Sequence, residues 1–456
     1  MNVPARHRAL AGTAVAATAL ATLTAGAAYA DHQPPTAARP SAADRTATGT
    51  STAARKATGN PSTDRTQASA TPLERTRADG AQVGRGSAGR GAVVSAERVV
   101  QMTRAEAAAY TKASGFASPA PRYGVTGYRL VYRTIDPAGR PTTASGLVVL
   151  PRNRTRTLRP VSFEHGTMIS KAQAPSVSSD TRGEAVLLSS AGYAAVEPDY
   201  LGLGLGPGRH PYADVASETT ASIDLLRAAR TFTTTRHRRL DRRVFVTGFS
   251  QGGPAAMGLA RALQAGAEPG FRLAAVAGIN GPYDGEHAQM PEGLFGKTLN
   301  PKISTYYFTY WLTAMNRLHH LYDNPSEVFQ QPYADRVEAL TDGSHTDSDV
   351  LAQTPGTPQQ LLTPKMIEWA RHPSGALLTA LRENDTTCTN WIPRVPVRIY
   401  TSRGDRDVSI LNSEHCVAAL RSHGVNAPLI DEGPIEHSPS KHAALPQILD
   451  WFGKLS

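Results

Sequence analysis

The chain has 456 residues, with 48 Lys and Arg against 38 Asp and Glu for a formal net charge of +10, and 40% of its residues are hydrophobic. Two cysteines exclude a disulfide scaffold, and this apolar content excludes a chain disordered throughout. The charge is uneven: residues 31–95 carry nine Lys/Arg against five Asp/Glu, a net of +4, and Arg6 and Arg8 add +2, which leaves +4 for the rest. The high net charge therefore gives no argument for a nucleic-acid partner.

Arg6, His7 and Arg8 form a basic start, residues 9–25 are a small-residue apolar run, and Ala28-Tyr29-Ala30 precedes Asp31 as an A-x-A site. Residues 1–30 read as a secretory signal peptide, so the protein is expected to be secreted and extracellular, with no transmembrane anchor. Residues 31–95 are Ala, Thr, Ser, Arg, Gly and Pro without an aromatic. Such a segment cannot bury enough apolar surface to offset its ordering entropy, and it reads as a disordered propeptide or linker. Cys388 and Cys416 are an even pair in a chain read as exported, so a disulfide is expected between them.

The folded part is expected over residues 96–456. Residues 98–113 read as a helix, and residues 128–134 and 144–150 as two strands of a hairpin. A strand from Pro160 stops at Glu164-His165-Gly166-Thr167. A helix over 181–191, a strand over 193–197 and a helix over 218–231 follow. Residues 243–249 are a β-branched and aromatic run, residues 248–252 read Gly-Phe-Ser-Gln-Gly, and apolar helix-formers follow. This is a nucleophile-elbow pattern centred on Ser250, whose glycines relieve a sharp strand-to-helix turn. Strands over 273–279, 395–401 and 427–430 and helices over 410–422 and 443–452 complete the alternation, which implies a mostly parallel sheet with helices on both faces. Residues 284–391 lack β-branched runs and are too long for a loop, so they read as an inserted helical cap. Its aromatic segment 306–312 is cap core or, alternatively, an acyl-binding lining.

A serine nucleophile needs a base oriented by a carboxylate, and in sheets of this type the order is Ser, Asp or Glu, His, each after a strand. Ser402-Arg-Gly-Asp405-Arg-Asp407 follows one late strand and Asp431-Glu-Gly-Pro-Ile-Glu-His437 the next. No zinc spacing is present, since His319 and His320 are adjacent. Gly202, Gly204, Gly206 and Gly208 do not form a phosphate loop, because Pro207 and Pro211 prevent an immediate helix.

With Phe163-Glu-His-Gly-Thr167, Glu197-Pro-Asp-Tyr-Leu-Gly-Leu-Gly204, the Gly248 to Gly252 turn and the late Asp and His, the chain resembles the α/β-hydrolase superfamily. More narrowly, it is similar to secreted bacterial lipases and esterases that resemble secretory fungal lipase A. The resemblance spans residues 128–452 apart from the cap. It implies the α/β-hydrolase fold, Ser250 as nucleophile, Asp407 as orienting acid and His437 as base. Gly404 to Asp407 fits the family's G-x-x-D arrangement, which leaves Asp405 as a turn residue. His437 is preferred over His442 because it comes first after the strand. The resemblance also implies an oxyanion hole from the amides of Gln251 and Thr167, a structural His165, and Tyr200 at the pocket.

The expected activity is a serine hydrolase cleaving carboxylic esters through an acyl-enzyme, without cofactor. Its partner is a small-molecule or lipid ester, met with at most transient contact at a lipid interface. Two other readings stand beside it. One is a peptidase of the same fold, for which Glu286, Glu292, Asp323, Glu327 and Asp335 could supply charges for a free amine. The other is a catalytically silent binding protein.

Overall fold

The computed structural model describes residues 89–116 and 119–455. The expected signal peptide and most of the expected linker lie outside the described residues. Nine strands form one sheet: β1 (Val93–Met102), β2 (Val125–Ile135), β3 (Pro141–Pro151), β4 (Pro160–Glu164), β5 (Ala194–Pro198), β6 (Arg243–Phe249), β7 (Arg272–Ile279), β8 (Val397–Thr401) and β9 (Leu429–Asp431). Their spatial order is β1-β2-β3-β5-β4-β6-β7-β8-β9. The first three strands and the β3/β5 pair run antiparallel, and every later pair is parallel. This is the mostly parallel sheet that the alternation of elements implies.

The period of two along β6 shows how the sheet is covered on both faces. Val244 and Val246 join the apolar cluster containing Leu226 and Phe232 of helix α3 (Val215–Thr235) and Leu259 of α4 (Gly252–Gln264). Phe245 and Phe249 instead join the cluster containing Val186 and Leu188 of α2 (Gly183–Ser190) and Ile448 and Phe452 of the closing helix, His437–Lys454. Alternate side chains thus enter opposite cores, as strands buried on both faces require. Between β7 and β8 the chain builds a third cluster around Phe308, Leu312 and Phe329. Its main element is the helix Pro301–His319, capped by the Asn300 side chain at the Lys302 amide. Cys388, at the end of this helical segment, is disulfide-bonded to Cys416. Among the described residues no helix is long and apolar enough to cross a membrane.

Several boundaries differ from the sequence reading. The expected helix over 98–113 is strand up to Met102 and helix α1 only over Arg104–Ala113. Thr103 divides them, because its hydroxyl accepts the Glu106 amide while Glu106 returns a bond to the Thr103 amide, a capping box. Strand β1 begins before residue 96, pairing with β2 from Val93 onward. The closing helix starts at His437 rather than at residue 443, with Pro446 inside it.

Candidate active site

β6 ends at Phe249 and α4 begins at Gly252, which leaves Ser250 and Gln251 to reverse the backbone. Ser250 has φ +55°, a left-handed conformation costly for a side-chain residue. Its amide donates to Ile279 O at 2.9 Å and its carbonyl accepts the Gly253 amide at 2.8 Å. The flanking glycines are fixed by space. A Cβ on Gly248 would lie 1.9 Å from Gly252 O, and one on Gly252 would lie 1.9 Å from Glu164 O.

Ser250 Oγ is 2.9 Å from His437 Nε2. His437 Nδ1 is 2.6 Å from Oδ2 of Asp405. Asp407, expected from the G-x-x-D pattern, makes no hydrogen bond to the ring among the described residues; the carboxylate that reaches it is that of Asp405. The turn after β8 explains the exchange. Asp405 Oδ1 accepts the amides of Asp407 at 2.8 Å and Val408 at 2.9 Å, which turns Oδ2 toward His437. Gly404 lies tight against the loop that carries the histidine, where a Cβ would fall 2.6 Å from Ile435 O. Asp407 therefore serves this arrangement through its backbone, and burial raises its own carboxyl above the ordinary range.

One more residue joins the group, and sequence reasoning missed it. Asn280 follows β7 with φ +45°. Its Nδ2 donates to Asp405 Oδ2 at 2.6 Å and to Ser440 Oγ at 2.8 Å. Ser440 Oγ in turn donates to His437 O at 2.6 Å. The acid and the base are thus tied to each other both directly and through Asn280. The available signal was its place at a strand's carboxyl end, combined with the tolerance of Asn for positive φ. His442 is elsewhere: its ring lies edge-on to Phe116 at 4.9 Å.

The loop after β4 runs beside the elbow. A Cβ on Gly166 would sit 3.3 Å from Ser250 Cβ. Thr167 Oγ1 is 2.9 Å from the Tyr212 hydroxyl. Among the described residues the amides of Thr167 and Gln251 make no hydrogen bond, so both are open to an incoming group. His165 Nδ1 lies 2.7 Å from Gly166 O and its ring packs 4.3 Å from that of Tyr200. Tyr200 is fully buried behind this loop. It does not line the cavity at Ser250, contrary to its assignment to the pocket. The Gln251 side chain is held by Glu218 Oε1 at 2.6 Å and His210 Nε2 at 2.9 Å. Burial lowers His210 to about 3, so its ring is neutral, and burial raises the Glu218 carboxyl well above its usual range.

A cavity of about 120 Å³ opens at Ser250 between the sheet and the helical segment above it. Its walls are mainly apolar, with Met290, Tyr307, Phe308, Trp311 and Leu381 facing Pro254 and Val215. In the aromatic segment 306–312, Tyr306, Phe308, Tyr310 and Leu312 are in the core of the helical segment, and Tyr307, Phe308 and Trp311 line the cavity.

A strand-elbow-helix serine with a histidine and a carboxylate from two later strand ends, on this sheet, defines the α/β-hydrolase fold. Comparison with known proteins gives the nearer likeness. No protein-family model matches the chain, and no curated protein matches it significantly. Among solved structures, the rice cell wall degrading esterase LipA from Xanthomonas oryzae is 27% identical with a TM-score of 0.73, over 81% of this chain and 100% of that one. A candidate hydrolase from Legionella pneumophila (23%, TM-score 0.74, 80% of this chain and 98% of that chain) shares the fold. So does Candida antarctica lipase A (15%, TM-score 0.55, 76% and 78%). The chain is similar to esterases and lipases of the α/β-hydrolase type.

Proposed function

We propose that the protein is a secreted serine hydrolase of carboxylic esters. The observation that carries the reading is the hydrogen-bonded line from Ser250 Oγ through His437 to Asp405, at 2.9 and 2.6 Å. Ser250 attacks the ester carbonyl while His437 Nε2 takes its proton, and Asp405 holds the ring and stabilises the imidazolium. The tetrahedral oxyanion accepts the free amides of Gln251 and Thr167, each such donor contributing about 10²-fold or more in rate. His437 then protonates the departing alcohol, and a water activated by the same ring hydrolyses the acyl-enzyme. The apolar cavity supports an acyl chain or other apolar group as its occupant.

Likeness to an esterase supports the ester over the amide bond. The acids a peptidase would use on a free amine, Glu286, Glu292, Asp323, Glu327 and Asp335, are absent from the cavity's lining. Its two acidic lining residues are Glu218 and Asp385, and burial raises Asp385 to about 7. The disulfide and the basic, apolar N-terminal sequence support export. The test is labelling by a fluorophosphonate together with hydrolysis of p-nitrophenyl esters and aminoacyl anilides. Ester turnover and labelling that both vanish in Ser250→Ala are expected. Labelling without turnover of any ester, or turnover of the anilides alone, refutes the reading.

A further inference from the structure

Two short stretches far apart in sequence, residues 152–159 and 236–243, hold nine arginines in sixteen positions against one acid, Asp241. The fold joins them. Thr157 and Leu158 pair in parallel with Arg239 and Leu240, and the Arg239 amide donates to Arg156 O at 2.8 Å. Arg152, Arg236, Arg238 and His237 line one open groove of about 450 Å³. The face lies at the amino ends of the parallel strands. Arg159 precedes β4, Arg243 opens β6, and Arg272 opens β7 beside it in register. Ser250 is at the other end of β6, about 20 Å away for a seven-residue strand.

Charge on a surface is usually balanced by neighbouring carboxylates, and here it is not. Among the described residues, Arg152, Arg154, Arg156, Arg236, Arg238, Arg239, Arg242, Arg243 and Arg272 are in no ion pair. Asp241 instead accepts the Arg243 amide of its own loop at 2.9 Å. Arg238 is anchored by Asn153 at 2.8 Å, and its buried Nε has no partner. The helical segment over the active site has the opposite sign: residues 284–391 contain 13 Asp/Glu and 7 Lys/Arg, a net of −6. A polyanion is thus attracted to one end of the sheet and repelled from the catalytic mouth at the other.

We propose that this arginine face docks the protein on an acidic polysaccharide, a polymer of carboxylates spaced along a neutral sugar backbone. Guanidinium groups bind carboxylates through paired N–H donors, and an array of unpaired arginines suits a repeating anion. Single-stranded nucleic acid needs exposed aromatic platforms. The two stretches contain no aromatic, and the Tyr128 ring at the groove is covered by the Arg236 guanidinium at 4.9 Å. A membrane interface calls for apolar side chains to insert. The large apolar residues exposed on the described surface, Val94, Leu205, Phe295 and Ile392, are all outside the two stretches.

The test uses the full chain and polygalacturonate, with binding followed from 20 to 300 mM salt. Arg154, Arg156 and Arg239 are exposed and make no side-chain hydrogen bond among the described residues, so Arg154→Ser/Arg156→Ser/Arg239→Ser keeps the fold, checked by thermal unfolding. Binding by the wild type that falls with salt is expected, with a loss of about tenfold or more at 50 mM salt in this variant and a shallower salt dependence. The equally neutralising Arg140→Ser/Lys365→Ser/Arg371→Ser is expected to bind as the wild type does, as is neutral dextran to be ignored by both. Equal weakening by the two triple variants, unchanged binding by the first, or tighter binding to duplex DNA or phosphatidylglycerol vesicles than to polygalacturonate overturns the proposal. Ester turnover is not its readout, so it stands or fails separately from the catalytic reading.

Discussion

Asp405 and Asp407 are two residues apart on one turn, and their separate replacement by asparagine tests the geometry of the site. In Asp405→Asn, the side-chain oxygen can still accept the amides of Asp407 and Val408, so the turn survives. The new amide faces Nδ1 as a donor, and the ring must present a lone pair there. Nε2 then carries the proton and points it at Ser250 Oγ, where a base is needed. A wrong tautomer of this kind costs about 10⁴ in kcat, or roughly 5.4 kcal/mol at 1.36 kcal/mol per decade. The Asp407 carboxyl makes no hydrogen bond among the described residues, and the isosteric Asp407→Asn, which keeps the backbone amide that Asp405 accepts, should change kcat/KM less than about threefold. The assay is p-nitrophenyl butyrate hydrolysis, with thermal unfolding to verify that both variants are folded. A thousandfold loss in Asp407→Asn alongside near-normal Asp405→Asn refutes the assignment of Asp405.

Asn280→Ala removes a donor to the Asp405 carboxylate, a bond of the charged type worth about 1.5–3 kcal/mol, so kcat should fall about 10- to 100-fold with KM little changed. An unaltered kcat in a folded variant would show that Asn280 does not position the pair. Trp311→Ala enlarges the cavity and should shift the optimum of a p-nitrophenyl ester series toward longer acyl chains; an unmoved optimum places the acyl group elsewhere. Cys388→Ser opens a cross-link over a sequence separation of 28. Loop entropy puts its loss at about 3–4 kcal/mol, read as a lower urea midpoint than the wild type under oxidising conditions. Equal midpoints refute that value. Burial raises Glu164 from 4.5 to about 7. For an acid raised on folding, the cost is absent below the unfolded value, grows from pH 4.5 to 7, and is fully present above, at about 3 kcal/mol. The stability of Glu164→Gln relative to wild type should therefore improve across that window, and a constant difference from pH 4.5 to 7.5 contradicts it.

The legible parts of the site were those whose chemistry is local. The elbow is written in five residues because backbone collisions there admit only glycine at 248 and 252, and a steric rule needs no knowledge of distant partners. The strand ends were legible because β-branched runs alternate with helical stripes. Asp405 was not, since two carboxyls on one turn differ only in which accepts its neighbours' amides. That choice is made by the packing of Gly404 against Pro434 and Ile435, thirty residues on. Asn280 was hidden for the same reason: its partners come from the turn after β8 and from the closing helix. The 98–113 segment misled because Ala-rich helix α1 follows an edge strand with weak alternation, and only the Thr103 cap marks the change.

Burial also separates the carboxyls of the site by role. Glu164, Asp199 and Glu218 are fully enclosed near the strand ends, and desolvation raises each above its ordinary value. Ionised groups there would oppose an oxyanion forming on Ser250, and desolvation works against that charge. Asp405 is enclosed as well, with its side chain 2% exposed, but four N–H donors converge on it. They are His437 Nδ1 and Asn280 Nδ2 on one oxygen, and the amides of Asp407 and Val408 on the other. The acid that serves the histidine is thus aimed by N–H donors, and apart from the histidine's own they come from one turn and one asparagine.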